Sequence, residues 1–559
     1  MAIIATKGGR SENPNPLSLI FHSFIITKRN LTKPFSVITL HSRMLRIIIW
    51  IAIVALLTAG NLSSAETQPL HIFHHENVLG TSLELRISAT SGRDSSAAES
   101  AALGEIDRLA KILSSYDVTS EFSLWRTTKC SPVPVSRELL EVLNLFDQWR
   151  ERSGGALDAS AEVVCKLWKG GGEQQRVPSD EEIAAAVAAV KLPHWKLDAA
   201  TQTATHLDDT PLVLNSFTKS FIASRACEAA MRVAGVNAVM VNLGGDLVVR
   251  GDWTEAVDIA DPRSDAENSD PISRLRIRNR VVATSGGYRR NVEIAGRKYS
   301  HIVDPRNGQP VDHILSATVV APNATDAGAL ATTLCILTPS ESLRLVETIA
   351  DAECLLITRD GQRVASKGWK LLEAPKIQLA TIGDVSGLLA ASPGANTRGE
   401  AKWNASFELT VTLELARIEA QRAKRPYVAV WIENEEKFPV RTLALWIAKP
   451  KWLPDLRSWN HSDKLRAQID GGTNFSRSIS SATRSPGKYT LKWDGKDDKG
   501  QRVKPGKYTV FIEAAREHGT HQVMRQEMEF SSTPQKVEMK GNLEISSVSL
   551  DYHRIAEAR

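Results

Sequence analysis

Apolar and polar residues change their spacing several times along this chain of 559 residues, and each change marks an element. From His71 to Ile87 they alternate, as strands with one buried face require. Between Ala97 and Leu113 the apolar positions recur at helical spacing, and Leu139 to Trp149 repeats that pattern. Ser216 to Gly235 predicts a helix stopped by glycine and leading into a strand at Ala238 to Asn242. Strands and helices intermixed without an internal repeat over residues 70–372 predict an α+β domain.

Residues 373–402 lose both periods, and the run Ser392-Pro393-Gly394-Ala395-Asn396-Thr397-Arg398-Gly399 reads as a linker. Beyond it, over 403–555, alternation takes over at Phe407–Ala416, Tyr427–Glu433 and Arg441–Ile447. Tyr489 to Trp493, an acidic turn, Pro505-Gly506 and the run Lys507 to Ile512 then follow as strand, turn, turn and strand. That order predicts an all-β, immunoglobulin-like sandwich. Asp494, Asp497 and Asp498 read as a solvated turn rather than a calcium loop, because the ligand set is incomplete. Trp431, Trp446, Trp452 and Trp493 read as core or edge aromatics.

The N-terminal pattern points to export. Arg43 and Arg46 precede the apolar run Ile47–Ala59, which is short for a membrane span, and Ser63-Ser64-Ala65 supplies small residues for cleavage. Residues 44–65 are therefore expected to be a signal peptide, and 1–43 an upstream extension with translation beginning at Met44. No cysteine stands directly after Ala65, so no lipid anchor is expected there; retention as an uncleaved anchor stays open. The expected location is the periplasm or cell envelope, with membrane proximity left open.

Composition changes little in this picture. The length calls for two or three domains, and 42% hydrophobic with 24% charged residues is ordinary for a soluble protein. The net charge of +5 is spread over scattered Lys and Arg, which argues against nucleic acid as a partner. Five cysteines (130, 165, 227, 335, 354) lie far apart and mostly in apolar runs. Buried small hydrophobes describe them better than a disulfide framework.

Four segments carry candidate chemistry. Gly155-Ala156-Leu157-Asp158 precedes an apolar stretch ending in Trp168. Asn215 to Ser220 opens a helix with small polar residues and Lys219, so its first turn suits phosphate oxygens. Asn242-Leu243-Gly244-Gly245-Asp246 follows a strand, and paired glycines let a ligand approach the backbone. Thr284-Ser285-Gly286-Gly287-Tyr288 comes shortly before His301-Ile302-Val303-Asp304-Pro305-Arg306, where an imidazole, a carboxylate and a guanidinium meet at a turn.

Taken together, these motifs resemble the FAD:protein FMN transferase (ApbE) family, over roughly residues 72 to 345. The matches are Gly80-Thr81, Ser115-Tyr116, Ser120-Glu121, Gly155 with Asp158, Lys219, Asn242 with Gly244-Gly245-Asp246, and Asp261-Pro262. They continue through Thr284-Ser285-Gly286-Tyr288, His301-Ile302 with Asp304-Pro305, Gly308 with Pro310, and Ala329 to Thr332. Trp493-Asp494-Gly495 with Pro505-Gly506 and Tyr508 is similar to the immunoglobulin-like domain of flagellar hook-capping proteins. The whole C-terminal segment resembles a domain of unknown function fused to some flavin transferases.

The resemblance implies exported, Mg²⁺-dependent transfer of FMN from FAD to a Thr or Ser hydroxyl of an acceptor protein, with release of AMP. The family's acceptors are subunits of membrane redox complexes, and some members hydrolyse FAD instead. It implies His301 as the base, an imidazole's ordinary pKa of about 6.5 suiting neutral pH. Asp304 then steadies that region or only caps the turn. FAD is expected near Asp158, Lys219, Asn242, Gly244, Gly245, Asp246, Thr284, Ser285, Gly286 and Tyr288, and the metal near Thr332, Asp326 and Thr218.

Three departures remove acid. Gly328 stands where the family's metal-binding Asp is expected, Val213 and Ser224 replace two further Asp residues, and Asn215-Ser216 replaces a glycine pair. A flavin-contacting Asn is also replaced, with Trp125-Arg126 in its region. Asp326, two residues before Gly328, faces roughly the opposite side of a regular helix. A hard cation prefers carboxylate oxygen. Two classes therefore stay open: a flavin transferase with a rearranged metal site, and a secreted FAD-binding or interaction protein, with FAD pyrophosphatase as a further alternative. No acceptor motif of the family is visible in the chain, so self-flavinylation is not expected.

Overall fold

A computed structural model describes residues 69–264, 266–287, 291–374, 403–417, 425–447, 450–469, 480–481, 483–516 and 520–555. The expected signal, the upstream extension and most of the expected linker lie outside the described residues. Among the described residues no helix is long and apolar enough to cross a membrane.

The first domain is built on one antiparallel sheet. Its strands are β1 (Leu70–Val78), β2 (Thr81–Ala89), β3 (Val236–Leu243), β4 (Asp246–Gly251), β5 (Val281–Gly286), β8 (Ile314–Ala321), β9 (Glu353–Thr358) and β10 (Arg363–Ala365), adjacent in that order. The two strands skipped in this count, β6 (Asn291–Ile294) and β7 (Arg297–Ser300), form a separate hairpin. Alternation explains β2, whose Leu83, Leu85, Ile87 and Ala89 all turn inward.

Of the six α-helices between β2 and β3, the first three and the last cover one face of the sheet, and the fourth and fifth pack with the β6–β7 hairpin. They are α1 (Gly92–Leu113), α2 (Glu121–Trp125), α3 (Arg137–Arg152), α4 (Glu162–Gln174), α5 (Asp180–Val190) and α6 (Thr218–Met231); α7 (Ala324–Ile336) and α8 (Pro339–Glu347) follow β8. Ser91 caps α1 by accepting the Asp94 amide at 3.2 Å, and the helix buries Ala98, Ala102, Ile106, Leu109 and Leu113 along one stripe. α7 is buried on nearly every side and α6 along one broad face, and both share a core with β2, β3 and β8. The other face carries a second core in which Met240, Val249, Val282, Val320 and Leu355 meet Leu275, Ile277 and Trp369. The sheet is therefore a middle layer, and it fixes the ends of α6 and α7 relative to the β3–β4 turn.

All five cysteines are free; Cys227, Cys335 and Cys354 are buried, Cys165 is partly buried, and Cys130 is exposed. Burial pushes the Cys227 and Cys335 thiols up to about 12, which keeps them protonated and inert at neutral pH.

The second domain is a sandwich of two sheets. One is ordered β14 (Gly487–Trp493), β11 (Phe407–Leu415), β18 (Ile545–Arg554), β17 (Gln535–Lys540). The other runs from the short segment Ser480–Ser481 through β13 (Pro439–Trp446), β12 (Tyr427–Asn434) and β15 (Gly506–Ala515) to β16 (His521–Phe530). Leu409, Val411 and Leu413 face Val430, Ile432, Val510 and Ile512 between them, beside a cluster of Trp403, Trp493, Phe530 and Tyr552. The domain is not wholly β. A helix, α9 (Arg457–Ile469), packs Trp459 against Trp431 and Leu445 on the outer face of the second sheet. Buried Glu513 accepts the Ser458 and Trp459 amides at 2.9 and 2.7 Å, so a strand residue supplies the oxygen acceptor that the local sequence lacks. The acidic turn is more than solvated: Asp498 accepts from Arg466 at 2.7 Å and from the Thr442 amide at 3.2 Å, and Asp497 accepts the Lys499 and Gln501 amides.

The outer edge of β14 is covered by the first domain. The Glu267 amide donates to the Thr490 carbonyl at 2.8 Å. The Asn268 side chain continues the ladder, donating to the Lys492 carbonyl at 2.7 Å and accepting the Lys492 amide at 2.8 Å. An edge that would otherwise template foreign strands is thereby closed. Asn268→Ala should speed hydrogen exchange of the Lys492 amide by about tenfold, the scale of one to two net hydrogen bonds. Unchanged exchange, measured residue by residue, would mean the amide is protected by something else.

Candidate active site

The site begins where α6 begins. Phe217 occupies the N-cap position but gives no side-chain cap, and the first turn holds no acidic residue. Phe217 is there for packing: its ring lies 4.4 Å from that of Phe146 on α3. The first-turn N–H groups, which helices ordinarily satisfy with a capping oxygen, have no side-chain partner. Lys219 stands in that same turn, where its charge opposes the helix dipole. Its ammonium donates to the Gly244 carbonyl at 3.3 Å and lies 3.7 Å from Asp246 Oδ2.

The β3–β4 turn supplies these partners. Gly244 and Gly245 both have positive φ (59° and 97°), as a two-residue hairpin turn matched to strand twist requires. A Cβ on Gly244 would also lie 2.5 Å from Thr81 Oγ1. Asn242 Oδ1 accepts the Gly245 amide at 3.1 Å, leaving the glycine pair exposed at the surface of the site. Asp246 is buried and accepts from Ser220 Oγ at 2.8 Å. Burial raises the pKa of its carboxyl, against the pull of the Lys219 charge and the Ser220 hydrogen bond.

α7 closes the third side. A Cβ on Gly328 would sit 2.5 Å from Ser220 Oγ and 3.1 Å from Phe217 Cα, so α7 reaches this distance only because residue 328 lacks one. One turn on, Thr332 Oγ1 donates to the Ser216 carbonyl at 3.1 Å and lies 3.4 Å from Ser285 Oγ. Thr284 is tied to Thr318 at 2.9 Å across β5 and β8. From the end of β5 the chain reaches the histidine: a Cβ on Gly287 would lie 2.7 Å from Ser300 Oγ, and half-buried His301 follows Ser300. Lys219, Asn242, Gly244, Gly245, Asp246, Thr332 and Ser285 are thus joined through Ser220 and α7; Thr218 and Gly286 adjoin them in the chain, Thr284 pairs with Thr318, and His301 follows Ser300, which packs on Gly287.

Three expected residues are placed differently. Asp304 has both oxygens forked by Arg306, at 2.8 and 2.7 Å, and its Oδ1 also accepts the Arg306 amide. That bidentate pairing makes it a turn-forming, positioning group rather than an acid or base. Asp158 caps the short turn at Ser160 (2.8 Å) and pairs with Arg150 at 2.8 Å. It lines a separate cavity of about 60 Å³ with Asp147, His194 and Trp195, not the glycine turn. Asp326 points to Arg152 at the end of α3, 3.7 Å away, six residues and about 120° around α7 from Thr332. Tyr288 lies outside the described residues.

Sequence reasoning passed over Ser220. Its hydroxyl connects Asp246 to the backbone at Gly328, and only the pair of positions 220 and 328 read together would have signalled it.

The residues present do not fit a resident Mg²⁺. Octahedral Mg²⁺ bound by protein takes at least one carboxylate, and the space beside Gly328 is filled by the Ser220 hydroxyl. Thr332 already donates to the Ser216 carbonyl, Asp326 faces Arg152, and Asp246 is held by Ser220 and Lys219. Among the described residues no group of three or more His, Cys, Asp or Glu side chains is placed to hold a metal.

Residues 79–356 match the model of the ApbE family. This segment belongs to the ApbE family. Residues 408–547 match a second model, described as "Predicted periplasmic protein (DUF2271)", which fits an exported protein. The FAD:protein FMN transferase of Escherichia coli K12 is 28% identical over 270 residues, covering 46% of this chain and 75% of that protein. Its counterpart in Haemophilus influenzae is 29% identical over 278 residues, covering 47% and 80%. The crystal structure of an ApbE protein from Thermotoga maritima aligns with TM-score 0.49 and 25% identity, over 55% of this chain and all of that one. The ApbE assignment rests on the family match.

Two outcomes test this site. Gly328→Ala should cost roughly 1–3 kcal/mol of stability, as overpacking does, and Ser220→Gly in the same chain should recover much of it; thermal melts of the two variants and the wild type decide. Asp246→Asn should stabilise at neutral pH. A carboxyl whose folded pKa is raised binds more protons folded than unfolded, so its contribution falls as pH climbs from the unfolded value through the folded one. The gain should therefore vanish in acid, where wild-type Asp246 is protonated in both states. A wild-type advantage at pH 7 would overturn this.

Proposed function

We propose that the ApbE-family domain is a flavin transferase that moves FMN from FAD to a Thr or Ser hydroxyl of an acceptor protein and releases AMP. The observation that carries this reading is the uncapped, lysine-bearing start of α6 beside the exposed Gly244-Gly245 turn. This reading takes the helix start as the anion holder and the His301 imidazole as the base beside it. The names of the similar curated proteins support it.

The chemistry uses this chain's own groups. The exposed Gly244-Gly245 turn lets the dinucleotide lie against the backbone. Lys219 and the first turn of α6 hold phosphate oxygens. Ser285 and Gly286, at the end of β5, are assigned to the flavin side of the ligand in this reading. The acceptor oxygen attacks the phosphorus on the FMN side and its proton passes to the His301 imidazole. The bond from that phosphorus to the oxygen of AMP breaks, and AMP leaves. Arg306 and Asp304 fix the turn that follows the histidine, so the imidazole is held on ordered backbone.

The acceptor is proposed to belong to a membrane redox complex, and the site of action to be the periplasmic or envelope side. The DUF2271 match supports the latter. No step through Mg²⁺ belongs to this reading.

Incubation of the full chain with FAD and a flavinylatable acceptor should give AMP and a fluorescent acceptor band. His301→Ala should slow transfer by roughly 10² or more, the scale of a lost general base, while FAD still binds. An unchanged rate would remove His301 from that role. FAD bound without AMP release, under any divalent ion, would instead favour a flavin-binding protein.

A further inference from the structure

We propose that this chain holds a dinucleotide's pyrophosphate with Lys219 and the uncapped first turn of α6, in place of a cation carried by the protein. The inference rests on the flavin reading and concerns how the same site handles charge.

Three independent features converge. First, the space where a residue at position 328 would project toward α6 is taken by Ser220 Oγ, 2.5 Å from the place of a Cβ. That hydroxyl is itself fixed by donation to Asp246, so the filling is built rather than incidental. Second, the oxygens that remain nearby are committed. Thr332 donates to the Ser216 carbonyl, and Asp326, about 120° away around α7, is paired with Arg152. Third, positive potential is present without a metal. α6 runs fourteen residues and starts with no side-chain cap and no first-turn acid, and Lys219 is added to that same turn. The Thr218 hydroxyl beside it is buried and has no hydrogen-bond partner. A buried hydroxyl without a partner destabilises the fold, and a phosphate oxygen would satisfy it.

The physical logic is substitution of one charge source for another. A pyrophosphate carries two negative charges, and either a divalent ion or a lysine with aligned amides can offset them. A lysine and a helix start remain in place when the ligand leaves, whereas a soluble ion must be recruited each time. Affinity for the dinucleotide should therefore not follow the divalent-ion concentration.

The test titrates FAD into the full chain, following flavin fluorescence, once with excess MgCl₂ and once with excess EDTA. The expected result is dissociation constants equal within about twofold. Lys219→Gln should weaken binding by roughly tenfold in both buffers, the worth of a charge-assisted contact. The double variant Ser220→Gly/Gly328→Asp opens the space and supplies a carboxylate, and its FAD affinity should become Mg²⁺-dependent by roughly tenfold. In parallel, Mn²⁺ added to the wild-type protein without FAD should stay free in its electron paramagnetic resonance spectrum.

Wild-type FAD binding strengthened about tenfold or more by Mg²⁺, or stoichiometric Mn²⁺ binding, would overturn this proposal and leave the flavin reading standing. No FAD binding in either buffer, by protein that circular dichroism shows to be folded, would overturn both.

Discussion

The start of α6 and the middle of α7 touch at Gly328, and the rest of the first domain's site depends on that approach. Were the helices held farther apart, Ser220 would lose its place between Asp246 and the α7 backbone, and Thr332 would not reach the Ser216 carbonyl. Both helices bury side chains in the core shared with β2, β3 and β8, so neither can shift without disturbing it. The sheet thus transmits a packing constraint into the exact placement of a few hydroxyl and carboxyl oxygens. A single missing Cβ sets the chemistry available there.

How far this could be read from sequence varies with the physics of each feature. The strands β1 and β2 and the helices α1 and α3 were legible because one stripe or one face is buried and alternation or helical spacing reports it. The helix expected over Ser216–Gly235 is shorter, Thr218–Met231, since the loop before it is shaped by Phe217 packing on Phe146 rather than by a capping residue. α9 escaped notice because its capping acid, Glu513, comes from a distant strand, a tertiary partner that no local window contains. At the site, glycines and the first-turn lysine were legible as chemistry. Which carboxylates reach the pocket was not: Asp158, Asp304 and Asp326 each met an arginine, and spacing along the chain does not reveal such pairings.

The second domain bears on the first through an edge. β14 is the outer strand of its sheet, and the segment around Glu267 and Asn268 of the first domain pairs with it. The ion pair between Arg484 and Glu267, at 3.2 Å, adds little by itself because such pairs are partly screened. The amide of Asn268 contributes more, since it satisfies one donor and one acceptor on the same residue of an open strand. The two domains are thereby joined through backbone hydrogen bonding, the same interaction that holds each sheet together.

Lys219 shows why local rules fail where they do. A cation in the first helical turn lowers helix stability, and an absent cap lowers it further, each by up to about 1 kcal/mol. Neither is corrected by a neighbouring acid in the turn; Asp246, the nearest carboxylate, is itself disfavoured as an anion by its burial. A segment that breaks two helix rules together, inside a domain that otherwise obeys them, has unspent capacity for negative charge. The exposed glycine turn beside it gives that charge a way in. The local instability and the binding capacity are one property of the same four residues, Phe217 to Ser220, and a substitution that cured the first would weaken the second.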